Sequence, residues 1–359
     1  MKIGIFGLPM SGKTTIFSLL TDTPYDGSYK VNSEEKRAFI RDERIEKLSE
    51  IYQPKKTTYA ELDFVDIPSF DSSSDQKEKS RILQMIQNVD SMILVIRAFE
   101  NDEVPYPDNN ETPLKQLNTL IAELIIRDIE VVENRLARLE ISIKKNKASK
   151  DEIKENEILE GIKNLLMEEK FASNYELNEE EKKLISSLSL FTLKPIIAVV
   201  NIDENQHDSD DYSQKEELIS TCKDNNFAYI DISGKIESDL VELNEDERKM
   251  FMEELNIERP GISRLSKVVY DHIGLISYFT VGKDEVRAWT IKKGTNMKKA
   301  AGAIHSALEK GFIKAEVIKY EDLIVAGNDE EARKQGLSRL AGKDEIVEDG
   351  NIMEIRANS

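Results

Sequence analysis

The residues whose types and spacing most clearly indicate a chemical function are 7–14, Gly-Leu-Pro-Met-Ser-Gly-Lys-Thr. They form a G-x-x-x-x-G-K-T loop between an apolar run and a helix-forming stretch. The glycines of such a loop let backbone N–H groups surround phosphate oxygens, and the following helix N-terminus adds a favourable dipole. The lysine places its ammonium against the β- and γ-phosphates, where it also stabilises transition-state charge, and the threonine hydroxyl binds Mg²⁺. The alternative is a purely structural glycine turn. The motif predicts a nucleotide site at Gly7, Pro9, Met10, Ser11, Gly12, Lys13, Thr14 and Thr15.

A second candidate is Asp66, which ends the apolar stretch at residues 61–66. An aspartate at the end of the strand after a phosphate loop holds Mg²⁺, usually through water. A strand-terminal aspartate can also only cap a turn. With the phosphate loop present, we expect Thr14 and Asp66 to form the metal site.

Two further segments are candidates for contact with the nucleotide base. Asn-Ile-Asp-Glu at residues 201–204 follows an apolar run, where guanine-selective enzymes carry Asn-Lys-x-Asp. Asn201 would brace the phosphate loop, Ile202 replaces the lysine that covers the base, and Glu204 replaces the aspartate. Because the longer carboxylate cannot make the same bidentate contact with guanine, we expect weak guanine selectivity and ATP, or GTP, as ligand. The next strand is followed by Ser233, Gly234 and Lys235, where a third base-contacting loop belongs.

The elements around these residues predict an α/β fold. Strand-like runs at 2–6, 61–66 and 91–96 alternate with helical stretches at 42–52 and 76–89, which is typical of a parallel sheet. Between residues 107 and 194 the periodicity changes to a heptad spacing, which favours two helices in an antiparallel hairpin. The apolar residues with this spacing are Ile125, Ile129, Val132, Leu136, Leu139 and Ile143.

These patterns divide the chain into three parts. Residues 1–106 and 195–274 are predicted to form a P-loop nucleotide-binding domain, with residues 107–194 as an inserted coiled-coil hairpin. Residues 275–359 are predicted to form a β-grasp-like domain, with strands at 276–280, 286–290, 314–319 and 352–356 and one helix at 297–310.

The amino-acid composition argues against several classes of protein. The chain has 359 residues, 39% hydrophobic, with no apolar run of transmembrane length. A single cysteine, Cys222, and three scattered histidines argue against a disulfide framework or a Cys/His metal centre. We expect a cytoplasmic monomer without membrane contact.

The net charge of −19 disfavours nucleic acid, but it is uneven along the chain. Residues 275–359 hold 14 basic and 14 acidic side chains, so all of the excess lies before them. This part carries the pairs Lys292 and Lys293, and Lys298 and Lys299. They indicate either a surface that accepts RNA or an ordinary solvated face.

With these residues in place, the chain resembles the YchF family, the Obg-like ATPases of the P-loop GTPase superfamily. GLPMSGKTT is similar to the family's GLPNVGKST, FVDIP to FVDIAG, and NIDE to the N-x-x-E pattern that accompanies ATP preference. YFTVGKDEVRAWTIKKGT resembles the TGS domain, a β-grasp module associated with ribosome and RNA contacts. The resemblance implies a translation-associated ATPase that contacts ribosome or RNA through this module and the hairpin.

Both switch segments depart from the family pattern. The stretch at residues 27–37 is shorter, with Lys30 near the expected threonine and Ser28 and Ser33 close to it. Ser69 replaces the glycine of the second switch, and the following Phe70 is apolar as in the family. Two functions therefore stay open, a slow ATPase and a nucleotide-binding adaptor with little or no hydrolysis. A small-molecule kinase fits less well, because the insertion lacks an arginine-rich lid.

Overall fold

The computed structural model describes residues 1–23, 34–40, 42–69, 76–101, 104, 106 and 112–358. The chain forms two compact units. The first unit comprises Met1–Lys36 and Asp63–Leu265, and the second comprises Arg37–Leu62 and Ser266–Ser359. The segment Arg37–Leu62, which the sequence assigned to the nucleotide-binding domain, thus groups with the C-terminal residues. The three-part division stays a prediction.

Regular structure is distributed over both units. Within the described residues the strands are β1 (Lys2–Gly7), β2 (Glu34–Ile40), β3 (Lys56–Thr58), β4 (Ala60–Asp66), β5 (Ser91–Arg97), β6 (Ile196–Asn201), β7 (Ala228–Ile232), β8 (Leu275–Thr280), β9 (Glu285–Lys292), β10 (Phe312–Lys319), β11 (Arg339–Ala341) and β12 (Asn351–Ala357). The helices are α1 (Lys13–Thr21), α2 (Glu43–Tyr52), α3 (Gln76–Gln87), α4 (Pro113–Lys144), α5 (Lys150–Met167), α6 (Glu179–Ile185), α7 (Glu204–Ser209), α8 (Lys215–Asp224), α9 (Gly234–Glu242), α10 (Glu245–Glu254), α11 (Gly261–His272), α12 (Met297–Ile304), α13 (Ser306–Lys310), α14 (Tyr320–Ala326) and α15 (Asp329–Lys334).

The sheet that carries the phosphate loop has the strand order β2-β4-β1-β5-β6-β7. β1 runs parallel to β4 and β5, and β6 runs parallel to β5 and β7. β5 and β6 are buried along their whole length, as expected of parallel strands covered on both faces. The register pairs Ile5 with Asp66 and Arg97 with Asn201. The predicted parallel α/β sheet is confirmed, and it gathers the candidate site residues at one edge.

The predicted helical hairpin is also confirmed. α4 and α5 pack together over a turn at residues 145–149, and Val132, Leu136 and Leu139 of the heptad pattern are buried. Arg135 pairs across the hairpin with the buried Glu155, with a shortest N–O distance of 2.6 Å. The apolar side chains of the hairpin belong to the same core as the central sheet, which stabilises the hairpin on the first unit.

A buried carboxylate fixes the base of the hairpin. Asp128, in α4, is 1% exposed. It accepts hydrogen bonds from the backbone N of Phe191 at 3.0 Å and from the backbone N and hydroxyl of Thr192 at 2.7 and 2.6 Å. Burial raises the pKa of Asp128 to about 6, although these hydrogen bonds oppose the shift. Asp128 therefore ties α4 to the segment that leads into β6.

The second unit holds a sheet with the order β11-β10-β12-β8-β9-β3. The C-terminal β domain is confirmed, and the four predicted strands correspond to β8, β9, β10 and β12. The single helix predicted at 297–310 is wrong, because His305 is extended (φ −163°, ψ 139°) and separates α12 from α13. His305 Nδ1 accepts a hydrogen bond from the backbone N of Ala307 at 3.2 Å, so the histidine caps a new helix.

The grouping of Arg37–Leu62 with the C-terminal residues has a visible cause. β3 adds a parallel strand to the edge of this sheet, pairing Lys56 with Glu285. Arg44 of α2 forms ion pairs with Asp42 and Asp349, and its guanidinium lies 5.3 Å from the centre of the Phe279 ring. The ion pair between Arg44 and Asp349 joins residues that are 305 positions apart in the chain.

In the described part of the chain, no helix combines the length and hydropathy needed to cross a membrane.

Candidate functional site

The loop between β1 and α1 is shaped by two glycines. Gly12 has a φ of +90°, and a Cβ atom there would lie 2.2 Å from Asn201 Nδ2. A Cβ atom on Gly7 would lie 2.4 Å from the carbonyl oxygen of Val95. Both contacts are too short for any side chain, so the packing of the loop requires glycine at both positions. Met10 stands exposed at the loop tip with a φ of +60°.

The first turn of α1 leaves its backbone donors available. Gly12 is the N-cap and provides no side-chain hydrogen bond, and the first turn contains no acid. Other helices are capped by side chains, such as α2 by Asp42 and α5 by Ser149. Free amides at a helix N-terminus, together with the dipole, form a site for an anion.

Lys13 adds a positive charge at this point. The residue is 9% exposed, and no carboxylate in the described part of the chain forms an ion pair with it. Burial lowers the pKa of Lys13, while the more distant charge of Asp66 acts in the opposite direction. A buried ammonium without an ion pair is costly in the absence of a ligand, and phosphate oxygens would compensate that cost.

The predicted metal residues lie together. The Thr14 hydroxyl donates to Asp66 Oδ2 at 3.1 Å. A hydroxyl and a carboxylate are hard oxygen donors, which suit Mg²⁺, and the ion normally keeps waters and substrate phosphates as its other ligands. The described residues contain no cluster of three His, Cys, Asp or Glu side chains that could hold a metal alone. The donor set fits Mg²⁺ brought by a nucleotide.

Asn201 links the phosphate loop to the loop after β7. Its buried side chain donates from Nδ2 to the backbone oxygen of Ser11 at 3.1 Å and accepts at Oδ1 from the backbone N of Gly234 at 3.0 Å. Gly234 also packs beside Thr15, whose Cγ2 would lie 3.5 Å from a Cβ atom there. The Asn201 side chain thus connects the phosphate loop to the predicted base-contacting loop at residues 233–235.

The remaining base-side residues divide into two groups. Glu204 is exposed as the first residue of α7, and Lys235 is exposed on α9. The pKa of Lys235 is raised chiefly by its hydrogen bond to Asp239 and more weakly by Glu204, which places Glu204 near this ammonium. Ser233 caps α9 through a hydrogen bond from the backbone N of Ile236. Ile202, in contrast, is 5% exposed and packs in the core, so its side chain has almost no surface for a base.

Two contacts at this edge were not anticipated from the sequence. The buried Ser69 hydroxyl, at the switch position where the family has glycine, donates to the backbone oxygen of Gly7 at 2.8 Å. Arg97, at the end of β5, is buried under the rings of Phe99 and Tyr106 and donates to the backbone oxygen of Phe99. In the sequence, the feature that could have drawn attention to Arg97 is its position directly after the apolar run SMILVI at residues 91–96. Phe70 and residues 27–33 lie outside the described residues.

The parallel sheet, the phosphate loop between β1 and α1, and the Thr14–Asp66 pair define a P-loop NTPase of the GTPase superfamily. A family model described as "50S ribosome-binding GTPase" matches residues 2–135, and the YchF-GTPase C-terminal model, described as "Protein of unknown function (DUF933)", matches residues 275–358. The chain is 36% identical to the ribosome-binding ATPase YchF of Bacillus subtilis, across 100% of this chain and 99% of the relative. The chain belongs to the YchF family.

Further relatives agree with this assignment. The ribosome-binding ATPase YchF of Haemophilus influenzae is 34% identical over 99% of both chains. The solved structure of the Schizosaccharomyces pombe YchF GTPase is 28% identical, with a TM-score of 0.85, covering 99% of this chain and 97% of that one.

The packing of Gly12 leads to a testable prediction. We expect Gly12→Ala to weaken ATP binding by about tenfold or more and to destabilise the fold by roughly 1–3 kcal/mol, because the new methyl displaces Asn201. Gly327→Ala is a matched control, since Gly327 has a φ of +89° but no atom within 4 Å of its Cβ position. Calorimetric titration and urea unfolding measure the two effects. Equal losses of stability in both variants, with normal ATP binding, would show that only backbone strain matters.

Proposed function

We propose that this protein binds Mg-ATP at residues 7–15 and hydrolyses it slowly, as a ribosome-associated NTPase. The observation that carries the proposal is that Lys13 is buried without an ion pair among the described residues. It lies beside the Thr14–Asp66 pair, at the start of α1, where Gly12 provides no side-chain cap. The relatives from Bacillus subtilis and Haemophilus influenzae are named ribosome-binding ATPases, which supports the same assignment.

The chemistry is attack of water on the γ-phosphorus, with cleavage of the bond to the bridging oxygen and release of ADP and phosphate. The chain contributes mainly positioning and positive charge. Lys13 and the amides of α1 bind the β- and γ-phosphate oxygens and stabilise the charge that develops on them. Thr14 and Asp66 would hold Mg²⁺, which supplies further charge neutralisation. Among the described residues we identify no general base, so we expect slow turnover.

The base preference can be tested at Glu204. We propose that the wild-type protein prefers ATP, because Glu204 is one methylene too long for the bidentate contact with guanine. Glu204→Asp is expected to shift the ATP:GTP affinity ratio towards GTP by about tenfold, the value of one charge-assisted hydrogen bond. Glu245→Asp is the matched control, because it makes the same change at an exposed first residue of another helix, α10. Titrations with both nucleotides measure the ratio, and an identical ratio in all three proteins would remove Glu204 from the base site.

The hydrogen bond from Ser69 to Gly7 favours the second candidate, a non-hydrolysing adaptor. This bond restrains the start of the second switch against the phosphate loop, and glycine's conformational freedom is absent there. Single-turnover assays with protein in excess over radiolabelled ATP distinguish the two functions. Phosphate release above the level of a Lys13→Ala variant supports the ATPase. Tight ATP binding without such release supports the adaptor.

We further propose a cytoplasmic, monomeric protein that reaches the ribosome through its hairpin and a TGS-like C-terminal domain. Co-sedimentation with ribosomes, with and without ATP, tests the partner. Sedimentation velocity of the free protein tests the oligomeric state.

A further inference from the structure

A cavity of about 650 Å³ lies in the first unit, away from the nucleotide site. Asp90 and Pro195, which directly precede β5 and β6, contribute to its lining. The phosphate loop instead follows the end of β1, and these three strands are parallel. The cavity is therefore at the opposite edge of the sheet, roughly 20 Å away by the rise of the strands. Sites for small organic ligands have volumes of roughly 300–1,000 Å³, so the cavity has a suitable size.

Part of the cavity wall is apolar. Ile185 and Leu190 are buried and belong to the same core as the central sheet. Tyr175, Leu177 and Leu193 pack against this core but keep part of their surface accessible. The wall thus offers apolar surface whose removal from water by a ligand would be favourable.

A half-buried lysine ammonium is part of the same lining. The Nζ atom of Lys194 donates to the carbonyl oxygens of Gln87, at 3.1 Å, and Val89. In the described part of the chain no carboxylate forms an ion pair with it. Burial lowers the pKa of Lys194, and the more distant charges of Asp90 and Asp128 oppose this shift. Neutral carbonyl groups do not cancel the ammonium charge, so an anion at this point would relieve the cost of its burial.

The other charged residues of the lining limit the charge that a ligand can carry. Lys182 is exposed and forms an ion pair with Glu179 at 2.8 Å. Asp90 and Glu176 line the cavity as exposed carboxylates. These two carboxylates would repel a ligand with several negative charges, such as a nucleotide. A single anionic group beside Lys194 fits the arrangement.

We propose that this cavity binds a small organic monoanion with an apolar body, such as a medium-chain carboxylate. The carboxylate accepts a charge-assisted hydrogen bond from the ammonium of Lys194. The apolar chain lies against Ile185, Leu190 and Leu193. Such a ligand would occupy a site separate from that of ATP.

The test is displacement of the fluorescent probe anilinonaphthalene sulfonate, itself an aromatic monoanion, from the full-length protein. Octanoate is expected to displace the probe. Octylamine has the same chain length but a positive charge at neutral pH, and it should displace the probe at least about tenfold more weakly, the value of one charge-assisted hydrogen bond. Mg-ATP should neither displace the probe nor change the affinity for octanoate.

A cavity-filling variant identifies the site. Ser186→Trp places an indole among the lining residues and is expected to weaken octanoate binding by about tenfold or more. Ser187→Trp is the matched control, because Ser187 is the next residue, is also exposed and does not line the cavity. Octanoate binding that is retained in the control and lost in Ser186→Trp supports the proposal.

A second variant tests the charge of Lys194. Lys194→Met keeps an unbranched apolar side chain but removes the ammonium, so the octanoate:octylamine affinity ratio should fall by about tenfold. Lys183→Met, at an exposed lysine outside the lining, controls for the change in net charge. Both affinities are measured on one preparation, so a partial loss of folded protein leaves their ratio unchanged.

Any of four results would overturn the proposal: no preference for octanoate over octylamine, the same octanoate affinity in the two tryptophan variants, an unchanged ratio in Lys194→Met, or displacement of the probe by Mg-ATP. Calorimetric titration of the same preparations with ATP keeps the nucleotide proposal separate. Normal ATP binding without octanoate binding removes this inference and leaves ATP binding intact.

Discussion

Lys13→Ala is expected to reduce the affinity for Mg-ATP by more than about 100-fold, the largest effect on binding that we anticipate from one substitution. Lys13 would contribute charge-assisted hydrogen bonds to two phosphates, each worth roughly 1.5–3 kcal/mol, and 1.4 kcal/mol corresponds to a factor of ten. Isothermal titration calorimetry with ATP and GTP measures the loss.

In the absence of nucleotide, the Lys13→Ala variant should be at least as stable as the wild-type protein. Lys13 is buried without an ion pair in the described chain, and burial lowers its pKa, so removal of the ammonium relieves a desolvation cost. Lys249→Ala, at an exposed lysine on α10, controls for the change in net charge. Unchanged ATP affinity in Lys13→Ala would refute the assignment of the anion site. Lost binding with a lower melting temperature would indicate a structural role instead.

The largest expected effect on stability is at Asp128. Asp128→Ala removes the acceptor of three hydrogen bonds and leaves two backbone N–H groups and the Thr192 hydroxyl without it. Buried donors left unsatisfied cost about 1–3 kcal/mol each, so we expect a total loss of roughly 3–5 kcal/mol. Urea unfolding followed by circular dichroism measures this loss. Thr192→Val, which removes only the hydroxyl donor, should cost much less.

The destabilisation at Asp128 should also depend on pH. Burial raises its pKa to about 6 in the folded protein, above the ordinary value of 3.8. Between these values the folded state binds the proton more tightly than the unfolded chain, so the contribution of this group to stability falls as the pH rises. The difference in unfolding free energy between wild type and Asp128→Ala should therefore be about 1 kcal/mol smaller at pH 7 than at pH 5. A difference that grows with pH would contradict the raised pKa.

Several features of the fold followed from local patterns. The phosphate loop was predictable because its glycines, lysine and threonine are contiguous, and a helix N-terminus needs no distant partner to form an anion site. The hairpin was predictable because Val132, Leu136 and Leu139 repeat at the period of the helix, which identifies the buried face without knowledge of what covers it.

Errors arose where a local signal competed with the helix pattern. The stretch at 297–310 looks like one helix, yet His305 uses its ring nitrogen to cap a second helix, a choice that periodicity does not show. The side chain of Ile202, which replaces the lysine of Asn-Lys-x-Asp, packs into the core, and its assignment to the base site stays a prediction.

The sequence alone therefore determined the class of site, the parallel sheet and the helical insertion, since each depends on contiguous residues or on a short period. Only the tertiary structure decided that Asn201 connects Ser11 to Gly234, that Asp128 holds Thr192, and that Arg37–Leu62 packs with the C-terminal residues. These contacts join residues 33 to more than 200 positions apart. Their partners are selected by strand register and by side-chain packing, which exist only once the chain has folded.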